Sequence, residues 1–175
     1  MLFGDISNGT RRHKQMCMES GCIDYLERAI THKTNIIREN ACWALKNIAS
    51  GTSSQSTFLR NHRIYPKALE CLLDNVNSVR VEAAYILQYT SVGGIKSLSN
   101  LFSIIKLALN SRNSLEFVHA MLRSVKKLLK LGKKDNEVWQ LFVSSGCMSA
   151  VGRLLVHENR YISEEAHITV KYRND

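Results

Sequence analysis

The chain has 175 residues, 45% of them hydrophobic, and a net charge of +9 with an isoelectric point near 9.5. That hydrophobic share excludes a disordered tail, and the length suffices for one domain with a real core. A single proline, Pro66, favours long helices over a many-turned β fold, and no run of about 18 apolar residues is present to span a membrane.

Residues 1–5 lack the apolar run of a signal peptide. Residues 1–20 therefore read as an N-terminal segment, partly disordered or forming a first helix. An amphipathic helix follows over 23–30, then the polar break His32-Lys33-Thr34-Asn35. The next helix carries Arg38-Glu39-Asn40-Ala41-Cys42-Trp43-Ala44-Leu45-Lys46-Asn47-Ile48-Ala49-Ser50. A short linking helix is predicted over 54–62. The order then recurs, with a helix over 65–72, the break Asp74-Asn75-Val76-Asn77, and a helix beginning near Arg80. After a degenerate stretch at 94–100, helices are predicted over 102–109 and 114–131, a link over 136–145, and a last pair over 148–156 and 162–172.

Trp43 and Tyr85 align at a period near 42 residues, with small residues before each aromatic and Leu45 or Leu87 two positions after it. Two or three helices per unit at that period are the mark of armadillo or HEAT repeats. Stepping about 100° per residue gathers Ile37, Ala41, Ala44, Leu45 and Ile48 on one buried stripe. Asn40, Trp43, Asn47 and Ser50 fall on another, polar-aromatic side. In the second unit Ala83, Ile86, Leu87 and Thr90 take the buried side, and Glu82, Tyr85 and Tyr89 the other. Trp43 and Asn47, one helical turn apart, point the same way. An amide there can bond a peptide backbone, and an indole face can attract a cation by about 0.5–2 kcal/mol.

The run Trp43-Ala44-Leu45-Lys46-Asn47-Ile48-Ala49-Ser50-Gly51-Thr52-Ser53, with the helix over 21–30 before it and Gln55 after it, resembles the second armadillo repeat of the importin alpha family, adaptors that carry proteins into the nucleus. The resemblance covers residues 21–94; beyond that the helix-pair pattern persists. It implies an all-α fold, a right-handed superhelical solenoid of about four armadillo repeats, with an armadillo domain over 21–175 and repeats near 21–62, 63–100, 101–146 and 147–175. The family's groove binds basic nuclear localisation signals in extended form. By resemblance Asn47 bonds the peptide backbone, Trp43 stacks on lysine stems, and Ser50, Gly51 and Thr52 lie beside the main lysine pocket. Asn40, Glu82, Tyr85 and Tyr89 complete the candidate peptide site, and Glu39 or Glu82 would add attraction for a cation.

The chain departs from the family pattern elsewhere. Tyr85 and Tyr89 stand where a second Trp and Asn belong, Ala120 and Ser124 are the expected occupants in the third unit, and Ile168 and Tyr172 in the fourth. Gly93 replaces an Asp that faces the key lysine. The resemblance also suggests importin beta as a partner, but Arg11-Arg12-His13-Lys14 is too short for the arm that binds it. A divergent or truncated member is expected, active in cytoplasm and nucleus. The alternative is an armadillo scaffold for other extended protein segments that has lost the cargo code.

Arg123, Lys126, Lys127, Lys130, Lys133 and Lys134 form a basic helix. It reads as a solvated face; a site for phosphate or an acidic partner is the alternative, and nucleic acid is the less favoured partner. Cys17, Cys22, Cys42, Cys71 and Cys147 contain no CxxC and read as structural thiols of a reducing compartment. Trp139 reads as core. Gly93-Gly94 is a break between units, since phosphate-loop patterns are absent. No catalytic constellation is present, and neither an enzyme, a metal, a cofactor nor a membrane partner is expected.

Overall fold

The computed structural model describes residues 9–90, 98–109, 113–131 and 136–171. Gly93, Gly94, Lys133, Lys134, Asp135 and Tyr172, and residues 1–8, lie outside the described residues. The chain divides into two compact units, Met1–Thr90 and Ser91–Asp175, taken here one at a time.

The first unit runs α1 (Arg11–Glu19), α2 (Cys22–Ala29), α3 (Asn35–Ala49), α4 (Ser53–Asn61), α5 (Ile64–Glu70, continued as a tighter turn over Cys71–Leu73) and α6 (Asn77–Thr90). Short, short and long helices alternate twice. Threonines start the first member of each triplet. Thr10 caps α1 in a capping box with His13, and Thr52 caps α4 in one with Gln55, each pair satisfying two backbone donors left open at a helix start. Gly21, at φ +72°, turns the chain from α1 into α2, a left-handed conformation that a Cβ disfavours.

The long helices α3 and α6 lie along each other, α2 packs on α5 and α1, and α4 packs on α3, α5 and α6. Ala41, Ala44, Leu45 and Ile48 meet the core together with Val79, Ala83, Ile86 and Leu87, all fully or almost fully buried. The expected stripes are therefore observed on both helices, with one correction: Ile37 is 37% exposed. It lies in the first turn of α3, before the helix enters the core, so wheel position alone does not bury it.

The second unit runs α7 (Leu98–Leu109), α8 (Leu115–Leu131), α9 (Asn136–Ser144), α10 (Cys147–Gly152, continued as a tighter turn over Arg153–Val156) and α11 (Arg160–Lys171). The expected linking helices are present as α4 and α9. Helix α8 packs on α11, and α7 on α10 and α9. Phe102 meets Phe142 edge to face at 5.6 Å, and Trp139 tilts onto Phe142 at 5.5 Å. Trp139 is half-buried rather than fully in the core, because only one face of α9 is covered. Gly146, at φ +81°, repeats the turn of Gly21.

All five cysteines are free and buried. The Cys22 thiol donates to the carbonyl of Cys17 at 2.7 Å, and the Cys147 thiol to that of Phe102 at 2.8 Å. Burial pushes both thiols up to about 11, which keeps them protonated and unreactive at neutral pH. Among the described residues no group of three or more His, Cys, Asp or Glu could hold a metal ion, and no helix is long and apolar enough to cross a membrane.

Candidate functional site

Helices α3 and α6 carry six of the residues singled out for peptide contact: Asn40, Trp43, Asn47, Glu82, Tyr85 and Tyr89. Spacing puts Trp43 and Asn47 one turn apart on α3, since their neighbours Ala44, Leu45 and Ile48 are committed to the core. Trp43 and Asn40 are half-buried, and Asn47 is 6% exposed. On α6, Tyr85 and Tyr89 are also half-buried, their rings stacked with centroids 6.3 Å apart. Each of the two adjoining long helices thus carries half-buried aromatic side chains.

The acids on this face are engaged from within. Lys46 of α3 reaches Glu82 of α6 at 2.9 Å, with both side chains about four-fifths buried, and its ammonium lies 5.9 Å from the centroid of Tyr85. The Ser78 hydroxyl donates to Glu39 at 2.8 Å. Lys46 was not among the sequence candidates. Its place on α3 was readable, but its reach to Glu82 depends on how far α6 is slid along α3.

Ser50, Gly51 and Thr52 form the junction between α3 and α4. The Ser50 hydroxyl donates to the Asn47 carbonyl at 2.9 Å and accepts from Lys14 at 3.1 Å. Thr52 caps α4, and its amide donates to Gln55 at 3.0 Å. Gln55 also donates to the Arg11 carbonyl at 3.0 Å, tying α4 to α1. A Cβ on Gly51 would run into the Gln55 side chain, so this position takes no larger residue without moving that link. The conformation of the segment follows from helix ends and caps.

The second unit repeats the cross-helix chemistry. Lys126 of α8 pairs with Glu165 of α11 at 2.9 Å, as Lys46 pairs with Glu82. His119 and Tyr161 are hydrogen-bonded at 2.9 Å, where the first unit has Glu39 and Ser78. These two matches set the register of α8 on α3. Met121, Leu122, Val125 and Leu128 then fall on Ala41, Cys42, Leu45 and Ile48, and all eight are buried. In that register Arg123 and Lys127 hold the places of Trp43 and Asn47.

Ala120 and Ser124, expected in those places, are fully buried. The Ser124 hydroxyl donates to the Ala120 carbonyl at 2.8 Å, so a polar side chain sits in the core at little cost. The repeat alignment differs from this register by three residues, less than one helical turn. Ile168 holds the place of Tyr85 in α11 and is 48% exposed.

The electrostatics of the two faces differ. Burial lowers the Lys127 pKa, and the charge of Arg123 lowers it further. His119 is lowered by burial first, then by Arg123 and Lys126, with Glu165 opposing. The Arg123 charge thus adds to both shifts, whereas Lys46 and Glu82 of the first unit are paired with each other.

The family model of the armadillo/beta-catenin-like repeat matches residues 10–50, which hold α1 to α3 and both Trp43 and Asn47. Among solved structures, a designed armadillo repeat protein superposes with a TM-score of 0.80 at 19% identity, over 98% of this chain and 73% of that one. A computationally designed armadillo repeat protein for modular peptide recognition gives 0.85 at 19% identity, over 97% and 72%. A third designed armadillo protein, in complex with the peptide (KR)4, gives 0.65 at 19% identity, over 98% and 90%. The fold is the all-helical armadillo-repeat fold over nearly the whole chain. The match over 10–50 begins ahead of residue 21, with α1 as the opening helix of the first triplet.

Proposed function

We propose that this chain is a non-enzymatic, peptide-binding armadillo module allied to the importin alpha adaptors, whose first unit takes an extended basic segment of the nuclear-localisation-signal type. The observation that carries the reading is the half-buried Trp43 one helical turn from the buried Asn47 on α3, with Tyr85 and Tyr89 half-buried on the neighbouring α6. An indole and two phenol rings offer flat surface to lysine stems, and an amide offers both a donor and an acceptor to a peptide backbone. The designed armadillo protein that holds a (KR)4 peptide supports the same ligand class on this fold. On this reading the chain acts in cytoplasm and nucleus, with importin beta a further partner.

Lys46 limits the site. It supplies from within a cation for Glu82 and Tyr85, at the point where a guest lysine would otherwise sit. This favours a short site of modest affinity. The same observation supports the second reading, an armadillo scaffold that keeps the fold and has lost the cargo code.

Fluorescence anisotropy with a labelled lysine-rich signal peptide separates the two. Wild type is expected to bind, and the Trp43→Ala/Asn47→Ala variant to bind about tenfold or more weakly, the loss of one cation–π contact and one backbone hydrogen bond. Because Asn47 is buried, circular dichroism melting accompanies the measurement, with Trp43→Ala alone as the milder variant. No detectable affinity in wild type would remove the signal-binding reading and leave the scaffold.

A further inference from the structure

We infer that Cys42 of α3 and Cys71, at the start of the tighter turn that ends α5, form a dithiol site that hydrogen peroxide converts into a reversible disulfide, locking the first unit. Both residues are withdrawn from solvent, Cys42 at 0% exposure and Cys71 at 7%. Their side chains nonetheless meet, and the Cys42 thiol donates to the Cys71 sulfur. A neighbouring ion pair fixes the approach. Arg38, one helical turn before Cys42, holds Asp74, three residues after Cys71, at 2.7 Å and 2.9 Å. The Cys71 sulfur also lies 3.9 Å from the Ile30 carbonyl, so it is turned inward. The inference stands on the interior of the first unit and is independent of peptide binding.

The pair divides the roles of a two-step oxidation. The hydrogen bond from Cys42 lowers the Cys71 pKa, helped by the charge of Arg38 and opposed by burial and by Asp74 and Glu70. The same bond, then burial, raises Cys42, and the charges of Cys71, Glu82 and Asp74 add to the rise. Cys71 is therefore the thiol that supplies a thiolate, and Cys42 the one that keeps its proton. Cys22 and Cys147, pushed up to about 11, lack such a partner role. Access follows the same order. Cys71 follows the exposed Glu70 on a three-residue turn that ends in the exposed Leu73, whereas Cys42 sits midway along a packed helix of 15 residues. A turn of that kind has poorer hydrogen-bond geometry than an α-helix, so Cys71 is the residue that shifts as the sulfurs close.

The Cys71 thiolate attacks one oxygen of hydrogen peroxide and the O–O bond breaks. The departing hydroxide takes up the proton that Cys71 released, and Cys71 is left as a sulfenic acid. The Cys42 sulfur then attacks the Cys71 sulfur. The S–S bond forms, the S–O bond breaks, and the Cys42 proton leaves with that hydroxide as a second water. Two thiols and one peroxide become one disulfide and two waters. A compact oxidant suits so enclosed a pair. The cross-link closes residues 42–71, a loop of about 30 residues, in the unfolded chain, and so favours the folded state of the first unit.

The test treats the full chain with hydrogen peroxide in native buffer at neutral pH, then alkylates the remaining thiols under denaturing conditions and digests with trypsin. Trypsin releases Cys42 in a peptide of residues 39–46 and Cys71 in one of residues 68–80. Mass spectrometry of oxidised wild type is expected to find these two peptides joined, to lose the joined species on dithiothreitol, and to find Cys17, Cys22 and Cys147 alkylated. Oxidised wild type is expected to melt at a higher temperature than reduced wild type. In Cys42→Ala, Cys71 is expected to stop at the sulfenic acid, trapped by dimedone; in Cys71→Ala, Cys42 is expected to remain a thiol. Melting curves report whether each variant is folded, and the wild-type result stands without them. Absence of the joined peptides from oxidised wild type, pairing spread over the other cysteines, or a sulfenic acid at Cys42 in place of Cys71 overturns the site. An oxidised protein that melts no higher than the reduced one overturns the lock. Failure of signal-peptide binding leaves the dithiol site standing, and the reverse holds too.

Discussion

Asp74 shows how much one side chain organises in the first unit. Arg38 meets it with a fork, at 2.7 Å and 2.9 Å, and also donates to the carbonyls of His32 and Lys33. Arg80 donates to the Asp74 carbonyl at 2.8 Å, and the Val76 amide to its carboxylate at 2.8 Å. Two arginines that align in the repeats thus secure the loops that launch α3 and α6. Burial alone would raise the Asp74 pKa, but the Arg38 hydrogen bonds, the Val76 amide and the two arginine charges outweigh it and hold the group below its usual value. A carboxylate depressed in this way adds stability above its unfolded value of about 3.9, lost as pH falls through the lower folded value. Asp74→Asn is therefore expected to melt lower at pH 6 and to lose less further stability between pH 5 and pH 2 than wild type. Parallel melting-temperature curves for the two proteins over that range would refute it.

At the scale of elements, the α3–α6 pair carries both the core and the candidate site. Its inward faces were legible in the sequence because the 3.6-residue period sorts Ala41, Ala44, Leu45 and Ile48 from Trp43 and Asn47 within one helix. Its outward charges were not. Glu82 reads in the sequence as an acid open to a guest cation, whereas its meeting with Lys46 depends on the slide of one helix along the other. Lys46→Met tests the consequence. It removes the internal cation beside Glu82 and the Tyr85 ring while keeping a long side chain, and the lysine-rich peptide is expected to bind about fivefold more tightly, about 1 kcal/mol. Unchanged or weaker binding would show that the Glu82–Tyr85 corner takes no part in peptide contact.

At the scale of the whole molecule, the division into two units can be read by fluorescence, because the two tryptophans, Trp43 and Trp139, fall one in each. Leu45 is fully buried in the first unit, and Leu45→Ala is expected to cost about 2–5 kcal/mol. In a Trp139→Phe background Trp43 should report that loss in full during urea unfolding. In a Trp43→Phe background Trp139 should report a smaller shift, as expected when repeat stability is a sum of local and nearest-neighbour terms. Equal shifts from both probes would mean that the chain unfolds as one cooperative body.

The all-helical class, the repeat, the two buried stripes and the placing of Trp43 beside Asn47 follow from the order of residues along single helices. Each rests on short-range periodicity and on caps such as Thr52 with Gln55. Three other features required the packed molecule: Lys46 closing on Glu82, the core burial of Ala120 and Ser124, and the standing of Arg123 and Lys127 at the places of Trp43 and Asn47. A helical period states which residues share a side, but which side meets a neighbour, and at what height, is settled when side chains of two helices interlock. A serine bonded to its own helix backbone can pass as core, and an arginine with a charged tip can stand where a tryptophan stands one unit earlier. On the proposed reading the contact chemistry is therefore set by the register between helices, which puts Arg123 and Lys127 of the second unit at the places of Trp43 and Asn47 in the first.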